Sequence, residues 1–266
     1  MLQKLLNISV NSLKRRSLPV MLGKVAVRVQ EFPHKRRQQE AQQWCLAQAT
    51  RYEAFAQEFD AALWAETKEV CERIAQAGAA KLRGLEIDLG GGGNYPLLYF
   101  LTRYLKAKTV VETGVAAGWS SQAILTALKK NGGGRLYSSD FPYFRCSAPE
   151  KLVGYIVDEG LKGNWSLHID GDQHNLPEIA ASIEGIDLFH YDSDKSYKGR
   201  ARALDILAPR LTANSVVVFD DIQDNFHFRD FTLKEGALES GRGFKVFEFE
   251  GKYMGIVAPF LPSKKG

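Results

Sequence analysis

Cysteine is scarce and scattered: Cys45, Cys71 and Cys146 are the only three in 266 residues. An odd number at such wide spacings supports neither a disulfide framework nor a metal knuckle, and points to packing residues in a reducing compartment. No apolar run approaches the roughly 20 residues that span a bilayer. The stretch SLPVMLGKVAV is broken by Lys24 and makes a poor signal peptide. Together these absences favour a cytoplasmic chain. Acid is nearly missing from one end: residues 1–37 hold nine Lys and Arg against Glu31 alone, a surplus of eight, while the whole chain is only +4. The remainder is therefore net negative by four. Proline is absent from 38 to 83.

What is present is ordinary for a globular chain, with 45% hydrophobic and 25% charged residues, which excludes a disordered or membrane-spanning class. The basic arm, 1–37, suits an anionic membrane surface, nucleic acid or an acidic partner, and equally a solvated tail. Residues 38–86 read as a helical extension. Apolar groups recur at helical spacing through Trp44, Ala47 and Tyr52, then Leu63, Val70 and Ile74. Two helices are expected, breaking between Gln57 and Ala61, the second ending at Gly78 to Gly84. The run DLGGGGNYP then marks a joint and a domain boundary, with 87–266 as the main domain.

Beyond residue 95, short apolar runs alternate with helical segments. TVVETG (109–114), RLYSSD (135–140), WSLHID (165–170), IDLFHYD (186–192) and SVVVFDD (215–221) are five candidate strands. Candidate helices lie between them, the second opening on Ser147-Ala148-Pro149-Glu150, which reads as a capping box with proline at the first helical position. Such alternation implies α/β architecture, with a parallel sheet covered on both faces. FKVFEFE (244–250) and YMGIVAPF (253–260) around Gly251-Lys252 read as a closing antiparallel hairpin.

Each of the five strands finishes in acid: Glu112, Asp140, Asp170 with Asp172, Asp192 with Asp194, and Asp220 with Asp221. Ligands bind beyond the carboxyl ends of parallel strands, and so many carboxylates on one edge are costly unless cations or hydroxyl donors receive them. In ETGVAAGWSS, Gly114 and Gly118 let backbone approach a ligand closely, and the following helix offers free N–H groups. The same turn is also what a tight connection looks like. Asp140 suits a ribose diol or a local cap; Asp172 suits an adenine amino group or a helix cap.

The series VVETGVAAGWSSQAI, SSD, DGD, DLFHYDSDKSY and VVVFDDI, closed by the hairpin, resembles the class I S-adenosylmethionine-dependent methyltransferases over roughly 87–260. Within them it is most similar to divalent-metal-dependent O-methyltransferases of the catechol and caffeoyl-CoA type and of the antibiotic sugar type. The resemblance implies a doubly wound, mostly parallel seven-stranded sheet with one antiparallel strand inserted by the C-terminal hairpin. It assigns Glu112, Gly114, Gly118 and Ser120 to the methionine part of S-adenosylmethionine, Asp140 to its ribose and Asp172 to its adenine region. It makes Asp192, Asp220 and Asp221 ligands of Mg²⁺ or a similar cation, and Lys195 the base. Asp220-Asp221 follows the sugar enzymes, whereas Asp192-Ser193-Asp194-Lys195 follows the catechol type.

In-line methyl transfer requires an aligned donor and acceptor and a more nucleophilic acceptor oxygen, and a hard cation held by carboxylates serves the second need. A lysine beside a cation and partly out of water is biased toward its basic form. Pairing of Lys195 with Asp194 is the plainer alternative, and Asp192 is the second candidate base. His190 is read as structural. Phe226, Phe228 and Phe231 suit a substrate wall, or packing on the hairpin. The expected activity is O-methylation of a small-molecule or sugar hydroxyl. The alternative is a cofactor-binding module docked to a membrane or partner through its arm. RNA is disfavoured by the acidic edge, and a homodimer through the N-terminal helices is left open.

Overall fold

A computed structural model describes residues 34, 36–85, 87–142, 149–233 and 242–262. The basic arm and Cys146 thus fall largely or wholly outside the described residues. The N-terminal segment forms α1 (Gln38–Gln48), a two-residue strand β1 (Ala49–Thr50), α2 (Tyr52–Phe59) and α3 (Ala61–Leu82). The expected break falls at Asp60, whose carboxylate caps α3 by accepting from the Leu63 N–H at 2.8 Å. A second break, at 49–51, replaces two expected helices with three. Here the backbone turns extended and pairs with the sheet, an outcome that helical periodicity does not signal.

The main body continues with α4 (Tyr95–Tyr104), β2 (Thr109–Thr113), α5 (Trp119–Lys130), β3 (Arg135–Ser139), β4 (Trp165–His168), α6 (Asp172–Ser182), β5 (Ile186–Tyr191), α7 (Tyr197–Leu207), β6 (Leu211–Phe219), α8 (His227–Leu233), β7 (Gly243–Phe249) and β8 (Lys252–Ala258). One sheet runs β1-β7-β8-β6-β5-β2-β3-β4. Only β8 is antiparallel to its neighbours, inserted between β6 and β7. The hairpin turns through Glu250 and Gly251, both at positive φ, as the tightest hairpins require. The expected α/β fold with its antiparallel insertion is present, and β1 brings the strand number from seven to eight.

Both faces are covered. Phe55, Trp64, Leu98, Phe100, Ile124 and Leu128 meet Val110, Leu188 and Val218 on one face. Cys45, Leu176, Ile179, Ala203 and Phe228 meet Val111, Phe189 and Val217 on the other. Residues expected as a helix from 147 instead form a 3-10 turn, Pro149–Leu152, with Ser147 outside the described residues. The N–H groups of Gly154 and Ile156 donate to the carbonyls of Ala116 and Ala117, at 2.8 and 3.0 Å, so an α-helical pattern cannot continue. Among the described residues, no helix is long and apolar enough to cross a membrane.

Candidate active site

Strand order reverses between β5 and β2, so the crevice beyond their carboxyl ends is the expected ligand position. The parallel ladder extends one residue past each strand. Asp192 N–H donates to the Thr113 carbonyl, Asp220 N–H to that of Tyr191, and Asp140 N–H to that of His168, at 2.9–3.0 Å. Each acid is therefore fixed by backbone at the very edge. Gly114 seals the junction of the two halves. Its φ is +79°, and a Cβ there would lie 2.2 Å from the Asp192 carbonyl oxygen, so only glycine fits.

On the β2–β4 side the carboxylates are met by hydroxyls and backbone N–H groups. Glu112 is fully buried, accepting from Ser121 at 2.5 Å and Ser138 at 2.9 Å, with His190 Nδ1 3.8 Å from its other oxygen. His190 is itself buried, in keeping with a structural place. Asp140 accepts from the N–H groups of Val115 (3.1 Å), Ala116 (2.8 Å) and Phe141 (2.6 Å). Burial pushes its carboxyl up to about 6, against the pull of those N–H groups and aided by nearby Asp172. Asp172 opens α6 and accepts from Ser139 at 2.6 Å and from Ser193. Gly118 and buried Ser120 flank the start of α5. Buried Asn175, which the sequence reading did not single out, ties Ser139 to the carbonyls of Asp140 and His168.

The β5–β6 side is built on cations. Asp192, Asp220 and Asp221 each bring a carboxylate oxygen within 4.8 Å of the others. Lys195 Nζ contacts Asp192 and lies 2.9 Å from Asp221, so it pairs with these two rather than with Asp194. Asp194 instead accepts from the Ser196 N–H at 3.0 Å. Lys252 approaches Asp221 at 3.5 Å. Burial alone would raise the Asp221 carboxyl, but Lys195, Lys252 and Gln223 hold it below the usual range. Asp221 adopts a left-handed backbone, φ 49°. Behind it Arg200, fully buried, donates to the carbonyls of Asp220 (3.1 Å) and Asp221 (2.8 Å) and to Asn225 Oδ1 (3.1 Å). Burial pulls its guanidinium below the usual range, while the nearby carboxylates of Asp224, Asp221 and Asp220 resist this.

The glycine run expected as a joint lies against the same edge. A Cβ on Gly92 would strike Trp119, and one on Gly93 would lie 2.9 Å from Asp220 Oδ2. The aromatic segment after β6 is mostly packing: Phe228 is fully buried beside Phe219, Trp44 and Phe244. Phe226 is held between the guanidinium groups of Arg37 and Arg229.

Three carboxylates with a lysine among them, next to a glycine turn at the switch point, are suited to binding a cofactor and polarising a hydroxyl. Residues 111–222, which carry the three carboxylates, Lys195 and the Gly114 turn, match the family model described as "Methyltransferase domain". This segment is similar to methyltransferase domains. No curated protein matches the chain. Among solved structures it is similar to the O-methyltransferase TomG from Streptomyces achromogenes, involved in tomaymycin synthesis and solved with SAM. The identity is 17% and the TM-score 0.52, over 71% of this chain and 89% of that one. It is also similar to an O-methyltransferase from Bacillus cereus in complex with SAH, at 15% identity and TM-score 0.51, over 71% and 90%. A methyltransferase from Geobacter sulfurreducens matches at 17% and 0.51, over 70% and 87%. At these identities the likeness is one of fold. The matched segment and the strands flanking it thus follow a known fold, while the N-terminal segment from Gln38 to Leu82 adds β1 to the sheet edge.

Proposed function

We propose that this chain transfers a methyl group from S-adenosylmethionine to a hydroxyl of a small molecule or sugar, at a site assisted by a divalent cation such as Mg²⁺. The observation that carries the reading is the convergence of Asp192, Asp220 and Asp221 around Lys195 beside the Gly114 turn. Three oxygen donors so close together fit a hard cation. When bound, S-adenosylmethionine supplies an electrophilic methyl group, and the cation supplies positive charge that favours a deprotonated hydroxyl.

The chain's own residues then have separable tasks. The turn 114–118 brings backbone N–H groups at the start of α5 toward the cofactor's carboxylate. Asp140 accepts hydrogen bonds from a ribose diol, and Asp172, at the start of α6, lies on the adenine side. Asp192, Asp220 and Asp221 hold the cation. Lys195 takes the acceptor's proton at Nζ, and Asp192 is the alternative base where no cation is bound. That TomG and the Bacillus cereus enzyme, which share the fold, were solved with SAM and SAH supports the choice of cofactor.

The test is methyl transfer from labelled S-adenosylmethionine to a panel of catechols, hydroxycinnamates and sugars, with and without EDTA. Label in a hydroxyl product, abolished by EDTA and restored by Mg²⁺, is the expected result. Transfer that persists in EDTA removes the cation from the reading, and no transfer to any hydroxyl removes the O-methyl assignment.

One observation favours a role for the basic arm. Its described end lies near the cluster, where His34 stacks on Tyr197, the first residue of α7, at 4.6 Å, and the adjoining Gln38 of α1 donates to Asp224 at 3.3 Å. An anionic membrane surface gathered by the arm would lie beside this edge. Sedimentation with vesicles containing anionic lipid, lost at high salt, is the expected outcome; equal sedimentation with neutral vesicles contradicts it.

A further inference from the structure

Arg200 has no part in the chemistry proposed above, yet it is fully buried directly behind the acidic edge. A buried guanidinium is costly unless its donors are used. Among the described residues it forms no ion pair with a carboxylate, and its Nε has no hydrogen-bond partner. The donors it does use go to the backbone carbonyls of Asp220 and Asp221 and to the Asn225 side chain. Asn225 extends the link, because its amide donates to the Lys195 carbonyl at 2.8 Å while its oxygen also receives the His227 N–H at 3.1 Å. A continuous bridge therefore runs from the loop after β5, which carries Asp192 and Lys195, to the loop after β6, which carries Asp220 and Asp221.

The bridge grips the backbone where it is least comfortable. Asp221 sits at φ 49°, a left-handed conformation that aspartate tolerates better than most residues other than glycine and that the surrounding hydrogen bonds fix here. A left-handed residue aims its side chain quite differently from its right-handed alternative. Held this way, the Asp221 carboxylate faces Asp192 and Lys195.

We propose that Arg200 and Asn225 are positioning residues that hold the three carboxylates together as one cation site, without touching the cation themselves. This rests on the cation-assisted reading above. The alternative is that Arg200 matters only as a positive charge, and the two ideas predict opposite signs. As a mere charge it repels a cation, so its removal tightens binding. As a clamp its removal loosens binding, and lysine, which keeps the charge but lacks the two-armed fork, fails to restore it.

The experiment is Mn²⁺ titration of the full chain, reading free Mn²⁺ by electron paramagnetic resonance, for the unaltered protein, Arg200→Met, Arg200→Lys and Asn225→Ala. Circular dichroism and S-adenosylmethionine affinity by calorimetry report whether each variant keeps its fold. Binding weakened by about 10- to 100-fold in both Arg200 variants, with cofactor affinity kept, is expected of groups that orient ligands from behind. Should Arg200→Met not fold, Asn225→Ala carries the same direction of effect, since it cuts the link to the Lys195 carbonyl while sparing the buried Arg200 contacts to the carbonyls of Asp220 and Asp221. Equal or tighter Mn²⁺ binding in the folded variants overturns the inference and leaves the cation reading standing. No Mn²⁺ binding by the unaltered chain sinks both.

Discussion

The two halves of the strand edge face the same electrostatic problem and solve it differently. On the β2–β4 side, Glu112, Asp140 and Asp172 are received by serine hydroxyls and backbone N–H groups. On the β5–β6 side, Asp192, Asp220 and Asp221 are surrounded by Lys195, Lys252 and the buried Arg200. Neutral donors orient a carboxylate and leave its charge in place, which suits recognition of a neutral diol or amine. Lysines offset charge, which lets three carboxylates lie close together, while Arg200 holds the backbone that carries two of them. The same residue type at the same place in successive strands is thus specialised by what stands behind it.

The contrast can be broken first at Lys195. Lys195→Ala is expected to slow methyl transfer by about 10²- to 10⁴-fold, as loss of a proton-transfer group does, with S-adenosylmethionine affinity unchanged by calorimetry. An equal loss of cofactor affinity would merge the two halves. Gly114→Ala strikes the seam between them. With its Cβ 2.2 Å from the Asp192 carbonyl and φ at +79°, destabilisation of about 3 kcal/mol in urea unfolding is expected. Ser138→Ala tests the neutral side, since its hydroxyl serves both Glu112 and the Trp165 indole N–H. A loss of about 2 kcal/mol is expected from unfolding curves, with cation affinity unmoved.

The smallest effect is a pH signature confined to the β2–β4 side. The folded value of Asp140, about 6, lies above the ordinary aspartate value of about 3.9. Between these values the folded chain keeps a proton that the unfolded chain releases, so the contribution of this residue to stability fades as pH rises from about 4 to 6. Cofactor affinity should move the other way, because the ionised carboxylate is the better acceptor for a diol. It should fall about tenfold per unit below pH 6, and Asp140→Asn should flatten both trends. Parallel movement of stability and affinity would show that Asp140 does not meet the ribose.

Much of this was legible from residue order alone. Strand ends fall within two residues of the apolar runs at β2 to β5 and at the hairpin, because a parallel strand buried on both faces reads as a plain apolar run. The aspartates that converge are those at the ends of neighbouring strands. Three features were hidden. Helix α4 is buried from Leu97 to Thr102 on every side, so it shows no amphipathic stripe. Strand β1 has two residues and exists only because β7 offers an edge. Arg200 lies in a run, KGRARALDIL, whose basic residues read as a solvated helix face; nothing local distinguishes the one that turns inward.

The position of β8 bears on how this chain emerges from the ribosome. Val217 pairs with Val257, and Ala49 with Val246. The strand that sits between β6 and β7 follows both in the chain, and the outermost strand, β1, precedes all the others. Until β8 slots in beside β6, β7 has no place in the sheet and β1 has no neighbour. A chain made in this order therefore carries an open β6 flank, with Asp220 and Asp221 at its tip, from the completion of β6 until β8 is made, and closing it brings in β7 and β1 together.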